Sequence, residues 1–155
     1  MSKKMQENKP QIPLETQLQV VCRPNTRESY NLIATLLPEL KKWDPKHESL
    51  ELYKKRAKEY LNFTAIELIG YLESQPETCK VLLNDSYDKR YTPSTFIEEK
   101  EDKYRVGWVP SGQSPINQIR VFSSFAEATA DYVLFSWGFP RLTAEQANWV
   151  EVEHY

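Results

Sequence analysis

The sequence has little glycine, cysteine or histidine, and what it has is scattered. Four glycines among 155 residues cannot form a glycine-rich phosphate loop or a dinucleotide-binding fingerprint. His47 and His154 stand at no zinc-ligand spacing from the two cysteines, and no Gly-x-Ser-x-Gly motif supplies a nucleophilic serine. We therefore expect no catalytic residues, no metal site and no cofactor, and predict that the protein is not an enzyme.

The chain also lacks long apolar runs and a strong net charge. No stretch approaches the roughly 20 apolar residues that cross a bilayer, and the first residues contain lysines but no apolar signal-peptide core. Cys22 and Cys79 lie far apart in apolar-rich segments, a pattern typical of buried thiols rather than of a disulfide framework. A net charge of −2 disfavours binding to a polyanion. These features predict a cytoplasmic protein that binds neither membranes nor nucleic acids.

The first half of the sequence is mainly helical in pattern, after a polar and flexible tail over residues 1–13. Residues 14–22 carry apolar side chains at alternating positions, which predicts a half-buried strand, with a short helix as the alternative. Four later helix starts are predicted, the last as a short turn only: near Thr26 with a break at Pro38, at Asp44-Pro45 for a helix reaching Leu61, at the capping-box pair Thr64 and Glu67, and at Pro76.

The second half changes to segments rich in β-branched and aromatic residues. Ser94–Lys100 and Tyr104–Val109 are separated by the charged segment 101–103, which predicts a hairpin. A loop at Gly112 and Pro115 leads to a third strand over residues 118–123. Together these segments predict an antiparallel sheet.

The sequence after this sheet predicts one more helix. Ser124 with Glu127 is a capping-box pair, and Gly138 is placed to end the helix that should cover the sheet. A last turn at residues 143–146 precedes residues 149–155, which form either an edge strand or a frayed end. The predicted fold is one α+β domain over residues 14–155, with a mainly helical N-terminal half packed on a small antiparallel sheet with a C-terminal helix.

One enzyme pattern competes with the non-catalytic interpretation. Asp88, Glu98 and Lys100 are similar to the acidic and lysine triad of metal-dependent nucleases, in which carboxylates hold Mg²⁺ and a lysine steadies the attacking water. Glu98 and Lys100 on one face of a strand beside a charged turn also fit an ordinary solvated hairpin. A third alternative is a non-catalytic adaptor or structural subunit.

Aromatic and arginine side chains in the second half are candidates for a partner-binding surface. Tyr91, Trp108 and Trp137 combine large apolar area with a polar group, as residues of binding hot spots do. The alternative is that the tryptophans belong to the core and that the arginines pair with Asp131 and with the Glu-rich turn.

A resemblance connects these residues to a known class of proteins. The segments Tyr87–Ser94, Tyr104–Trp108 and Ala126–Gly138 resemble the C-terminal halves of small immunity proteins from bacterial polymorphic and contact-dependent toxin systems. The resemblance covers about a third of the chain.

This resemblance implies a cytoplasmic protein that binds one cognate toxin domain and neutralises it. Because many such toxins are basic nucleases, an acidic partner would gain association rate and specificity from charge complementarity. The residues expected to contact the toxin are the acidic hairpin and the three aromatic anchors: Glu98, Glu99, Glu101, Asp102, Tyr91, Trp108 and Trp137.

Overall fold

The computed structural model of the chain describes residues 12–23, 55, 57–88, 94–109 and 119–152. These residues belong to two compact units that divide between Phe63 and Thr64. The described elements are α1 Leu14–Val21, α2 Ala65–Glu73, α3 Pro76–Asp88, β1 Ser94–Lys100, β2 Lys103–Val109, β3 Ile119–Phe122, α4 Phe125–Trp137 and β4 Trp149–Val152. The predicted α+β class is confirmed, because helices precede a four-stranded antiparallel sheet and α4 packs against that sheet.

In the first unit, α1 corrects the prediction of a strand over residues 14–22. The alternating pattern would have placed Gln17 on the polar face, whereas Gln17 is buried together with Leu18 and Val21. Its amide nitrogen donates to the carbonyl of Ile12 at 2.8 Å, and its amide oxygen accepts from the backbone N–H of Asn62 at 2.7 Å. A buried side chain with satisfied donors and acceptors belongs to the core, and only the helical period places it there.

Several predictions fall outside the described residues. They are the flexible tail up to residue 11, the helix starting near Thr26 with its break at Pro38, and the loop at Gly112 and Pro115. Of the helix predicted from Asp44 to Leu61, residues 55, 57 and 58 are described as helical, whereas residues 59 and 60 form a turn, so the helix ends before Leu61. The single domain over residues 14–155 stays a prediction.

The second unit begins with two helices, of which the first starts as predicted and the second is longer than predicted. Thr64 and Glu67 form the predicted capping box of α2: the Thr64 hydroxyl accepts from the Glu67 N–H at 3.1 Å, and the Glu67 carboxylate accepts from the Thr64 N–H at 2.9 Å. In contrast, the short turn predicted at Pro76 is a helix of 13 residues. Its polar end looked like a loop, but Ser86 there is buried against the sheet, and this tertiary contact prolongs the helix.

The sheet has the order β1-β2-β3-β4, and every pair of neighbours is antiparallel. The predicted hairpin is confirmed, with Lys100 opposite Lys103 across a turn of two residues. The third predicted strand is β3, and the segment after residue 149 forms the edge strand β4 rather than a frayed end within its described residues. Ile97, Val106 and Phe122 are buried on this sheet.

Helix α4 covers the sheet as predicted, with one change at its N-terminus. The Ser124 hydroxyl accepts from the Glu127 N–H at 3.2 Å, but the Glu127 carboxylate accepts from the backbone N–H of Asn148 at 2.9 Å instead of returning to Ser124. Half of the predicted capping box is thus used to hold the segment that precedes β4. The helix ends at Gly138 in a left-handed conformation with φ 78°, as the sequence predicted.

Helix α3 closes the outer edge of β1. In an edge strand every second backbone N–H points away from the sheet and has no strand partner. On β1 these groups are those of Thr95, Ile97 and Glu99. Ile97 donates to the Ser86 hydroxyl at 2.9 Å, and Glu99 donates to the Tyr87 hydroxyl at 2.9 Å. Side chains of α3 therefore take the place of a neighbouring strand at two of these three groups.

Among the residues that the structure describes, no helix has both the length and the apolar character needed to cross a membrane.

The capping box predicts the first stability change. Thr64→Ala removes the side-chain acceptor of the Glu67 N–H, and we expect the free energy of unfolding to fall by about 1 kcal/mol, the usual effect of losing an N-cap. Thr64→Ser keeps the hydroxyl and should change stability by less than half as much. Urea denaturation followed by circular dichroism measures both variants, and equal losses would contradict the role of the cap.

Tyr132 predicts how stability depends on alkaline pH. Burial and the nearby Asp85 raise the pKa of Tyr132 to about 12 from its ordinary value of 10.0, against a smaller opposing effect of the hydrogen bond with Ser136. The stabilising contribution is therefore complete below pH 10 and is lost as pH rises towards 12, because the unfolded chain releases this proton first.

Tyr132→Phe should remove that part of the alkaline destabilisation. We expect the stability difference between wild type and Tyr132→Phe to shrink by up to about 1.4 kcal/mol per pH unit above pH 10, the value of one pKa unit. Urea midpoints of both proteins at pH 8, 10 and 11 test this. A difference that stays constant over this range would show that the phenol titrates alike in both states.

Candidate functional site

The tip of the β1–β2 hairpin carries a group of exposed charges. Glu101 and Asp102 form the turn, and the flanking residues Glu99, Lys100 and Lys103 are exposed as well. The two strands fix this tip, because seven consecutive residue pairs connect β1 with β2. Of the predicted acidic contact residues, Glu99, Glu101 and Asp102 are thus solvent-facing, whereas Glu98 is buried.

The turn residues adopt a conformation that their side chains disfavour. Glu101 has φ 55° and Asp102 has φ 63°, both in the left-handed region. Two successive positive φ angles in a two-residue hairpin loop are typical of a type I′ turn, for which Asn-Gly is the preferred sequence. A non-glycine residue in this region costs roughly 1–2 kcal/mol relative to the right-handed conformation. The acidic pair therefore makes the hairpin less stable than an Asn-Gly turn of the same geometry would.

Glu99 is tied to a ring pair on the α4 side of the sheet. The ring of Tyr104 stacks on that of Phe125, with 4.5 Å between centroids and an interplanar angle of 3°. Burial raises the pKa of Tyr104, and the hydrogen-bonded carboxylate of Glu99 raises it further. The Glu99 charge is therefore positioned beside the sheet, whereas the charges of the turn extend into solvent.

The remaining predicted contact residues lie in different environments. Trp108 is 38% exposed, and its ring centroid lies 6.3 Å from that of Phe135 on α4. Glu98 is 8% exposed and lies opposite Arg105 in the β1–β2 register. Trp137 is 5% exposed and lies in the core, which was the predicted alternative to a role in partner binding. Tyr91 lies outside the described residues.

A buried carboxylate, that of Asp131, pairs with two arginines near Trp108. Asp131 on α4 has a side chain with 0% exposure. One carboxylate oxygen accepts from Arg120 and from the backbone N–H of Leu142, each at 3.1 Å. The other accepts from Nε of Arg141 at 3.0 Å and from its terminal nitrogen. The predicted pairing of arginines with Asp131 is confirmed.

The same arginines connect neighbouring elements through backbone carbonyls. Arg120, on β3, donates to the carbonyl of Leu142 at 2.7 Å. Arg141 donates to the carbonyl of Val106, on β2, at 3.1 Å. Asp131 thus joins α4, β2, β3 and the segment between α4 and β4 in a single network.

Aromatic rings cover both guanidinium groups. The central carbon of Arg141 lies 4.3 Å from the ring centroid of Phe135, and that of Arg120 lies 3.9 Å from the ring of Trp149. Burial lowers the pKa of Arg120, against an opposing effect of Asp131, and its basicity leaves it a cation at any physiological pH. Phe135 also contacts Trp108, so the network connects to the exposed tryptophan through this ring.

The residues of the nuclease alternative do not form a described cluster. Glu98 and Lys100 share one face of β1, as alternate residues of a strand must. Asp88 ends α3, and its side chain lies outside the described residues. Among the side chains that are described, no three His, Cys, Asp or Glu residues are grouped so that they could hold a metal ion.

Both cysteines are buried free thiols, as predicted. Burial raises the pKa of Cys79, whose sulfur lies 3.7 Å from the carbonyl of Leu72. A thiol held in its protonated form by burial is a poor nucleophile.

Sequence reasoning missed the two hydroxyl groups that bind the outer edge of β1. Ser86 and Tyr87 act through their contacts with a strand that follows in the chain, and no motif encodes this. The buried polar position of Gln17 was likewise missed.

The chain matches no protein-family model, no curated protein and no solved structure.

The Asp131 network predicts a large loss of stability. Asp131→Asn preserves the shape of the side chain but leaves two largely buried guanidinium groups without their counter-charge. We expect the free energy of unfolding to fall by about 3–5 kcal/mol, as when one partner of a buried ion pair is removed. Glu127→Gln on the same helix is the matched control and should cost less than about 1 kcal/mol, because its amide oxygen can still accept from Asn148. Similar losses in both variants would contradict the central role of Asp131.

Proposed function

We propose that the protein is a bacterial immunity protein, which binds a cognate toxin domain in the cytoplasm and neutralises it by covering its active site or its substrate path. The contact surface follows the β1–β2 hairpin, with the acidic turn at one end and Trp108 towards the other. The protein inhibits by stoichiometric binding and makes or breaks no covalent bond.

The observation that carries this proposal is the acidic pair in the left-handed turn. Asn-Gly would satisfy the same backbone at lower cost, so folding alone does not account for Glu101 and Asp102. Strained backbone that the surrounding structure maintains is concentrated at functional sites. Negative charges at an exposed tip can attract a basic partner from a distance and orient it.

Trp108 supports the proposal as an anchor for the same partner. Its half-exposed ring contacts Phe135. Phe135 in turn packs on the guanidinium group of Arg141, which is hydrogen-bonded to Asp131. A side chain held in this way loses little entropy on binding, which favours its role as a hot spot. Trp108 follows Lys103 by five residues, about 17 Å along the strand at 3.4 Å per residue. An ordinary interface of about 800 Å² per partner can cover both features.

The acidic turn predicts opposite effects on stability and on binding. Glu101→Asn with Asp102→Gly introduces the preferred type I′ sequence and removes two negative charges. We expect the free energy of unfolding to rise by roughly 1 kcal/mol while affinity for the toxin falls at least about tenfold, mainly through slower association. The partner to be tested is the C-terminal domain of the protein encoded by the adjacent reading frame, with growth rescue and surface plasmon resonance as readouts.

The matched control removes the same charge from exposed positions outside the hairpin. Glu73→Gln with Glu145→Gln should leave association and growth rescue within about twofold of wild type, because long-range charge effects depend on position. Failure of the wild type to rescue cells from the adjacent domain would contradict the function itself. Rescue that is equally strong in both double variants would contradict only the role of the turn.

A further inference from the structure

We propose that the protein forms a two-fold symmetric dimer in which the β4 strands of two copies pair antiparallel and extend the sheet to eight strands. This proposal concerns the edge of the sheet opposite the one that α3 closes, and it does not depend on the identity of the toxin. It rests on the register of the sheet and on the exposure of one valine.

The register determines which backbone groups of β4 point away from the sheet. The N–H groups of Ile97 and Glu99 point away from β2, and in an antiparallel sheet the direction of these groups alternates along each strand. When this alternation is followed across the three strand pairs, the backbone N–H and C=O groups of Val150 and Val152 point towards β3. The N–H and C=O groups of Trp149 and Glu151 therefore point outward, and no described strand pairs with them.

The side chains of β4 also favour pairing with a further strand. Val150 is 63% exposed, although a valine in a strand ordinarily packs against neighbours on both sides. Among the described residues of this strand there is neither a lysine nor a proline, two of the residues that often protect an edge from pairing. Its single charge is Glu151.

A second copy of the same strand satisfies these groups in one register. The outward groups of Trp149 and Glu151 pair directly when each Trp149 lies opposite the Glu151 of the other copy. This places the two Val150 residues opposite each other on the two-fold axis, where their side chains bury one another. A shift that placed Glu151 opposite Glu151 would set like charges together and is disfavoured.

Disulfide trapping tests this register directly. Two residues facing each other in a pair of the non-hydrogen-bonded type have Cα atoms about 4.5 Å apart, within the range of about 4.4–6.8 Å that a disulfide spans. Val150→Cys should therefore give a covalent dimer under mild oxidation. Glu151→Cys is the matched control on the same exposed strand, but its two copies would stand on a diagonal about 7–8 Å apart, so cross-linking should be several times weaker.

Self-association in solution gives an independent measurement. Sedimentation velocity of the wild type should show a dimer that dissociates on dilution. Val150→Lys sets two like charges opposite each other and should weaken the dimer at least about tenfold, while a solvent-exposed position leaves the folded monomer stable. In the dimer, the amides of Trp149 and Glu151 should exchange hydrogen more slowly as protein concentration rises.

Three results would overturn the proposal. They are a wild type that stays monomeric at high concentration, cross-linking of Glu151→Cys as efficient as that of Val150→Cys, and slow exchange of the Trp149 and Glu151 amides that appears only when the toxin domain is added. The last result would assign the β4 edge to the toxin instead of a second copy. Because growth rescue is measured separately, none of these results decides whether the protein is an immunity protein.

Discussion

The second unit depends on one buried carboxylate. Asp131 accepts four hydrogen bonds, and its partners lie on β3 and in the segment that leads to β4. The two arginines in turn donate to the carbonyls of Leu142 and Val106. A charge without exposure is tolerable only with such complete pairing, and it requires that helix, sheet and connection be in place together. Arg141 of the same network packs on Phe135, the ring that contacts Trp108, so stability and the proposed contact surface share these residues.

Local signals in the sequence predicted most of the second unit. The Thr64 capping box, the two-residue hairpin turn, the start of α4 at Ser124 and its end at Gly138 each depend on residues a few positions apart. The Arg–Asp pairing was predicted from charge alone. The sequence could not show that both arginines share one carboxylate, because that geometry depends on how α4 crosses the strands.

The errors have a common physical origin. The segment Leu14–Val21 fits both the strand and the helix period, and a distant contact between Gln17 and Asn62 accompanies the helical choice. The segment from Pro76 was predicted as a short turn, whereas α3 continues to Asp88, where Ser86 and Tyr87 accept hydrogen bonds from β1. For the contact surface, the sequence predicted residue types but not exposure: Trp108 is accessible and Trp137 is not. Long-range packing decides each of these cases.

The closure of β1 by α3 also limits how the chain can aggregate. A fibril grows only if each added molecule presents a second free strand edge to the next one. In the described sheet, the hydroxyl groups of Ser86 and Tyr87 accept from two of the three outward N–H groups of β1, those of Ile97 and Glu99. Edge-to-edge pairing of native sheets through β1 is therefore hindered, and growth of a polymer through this edge requires that α3 first detach from the strand.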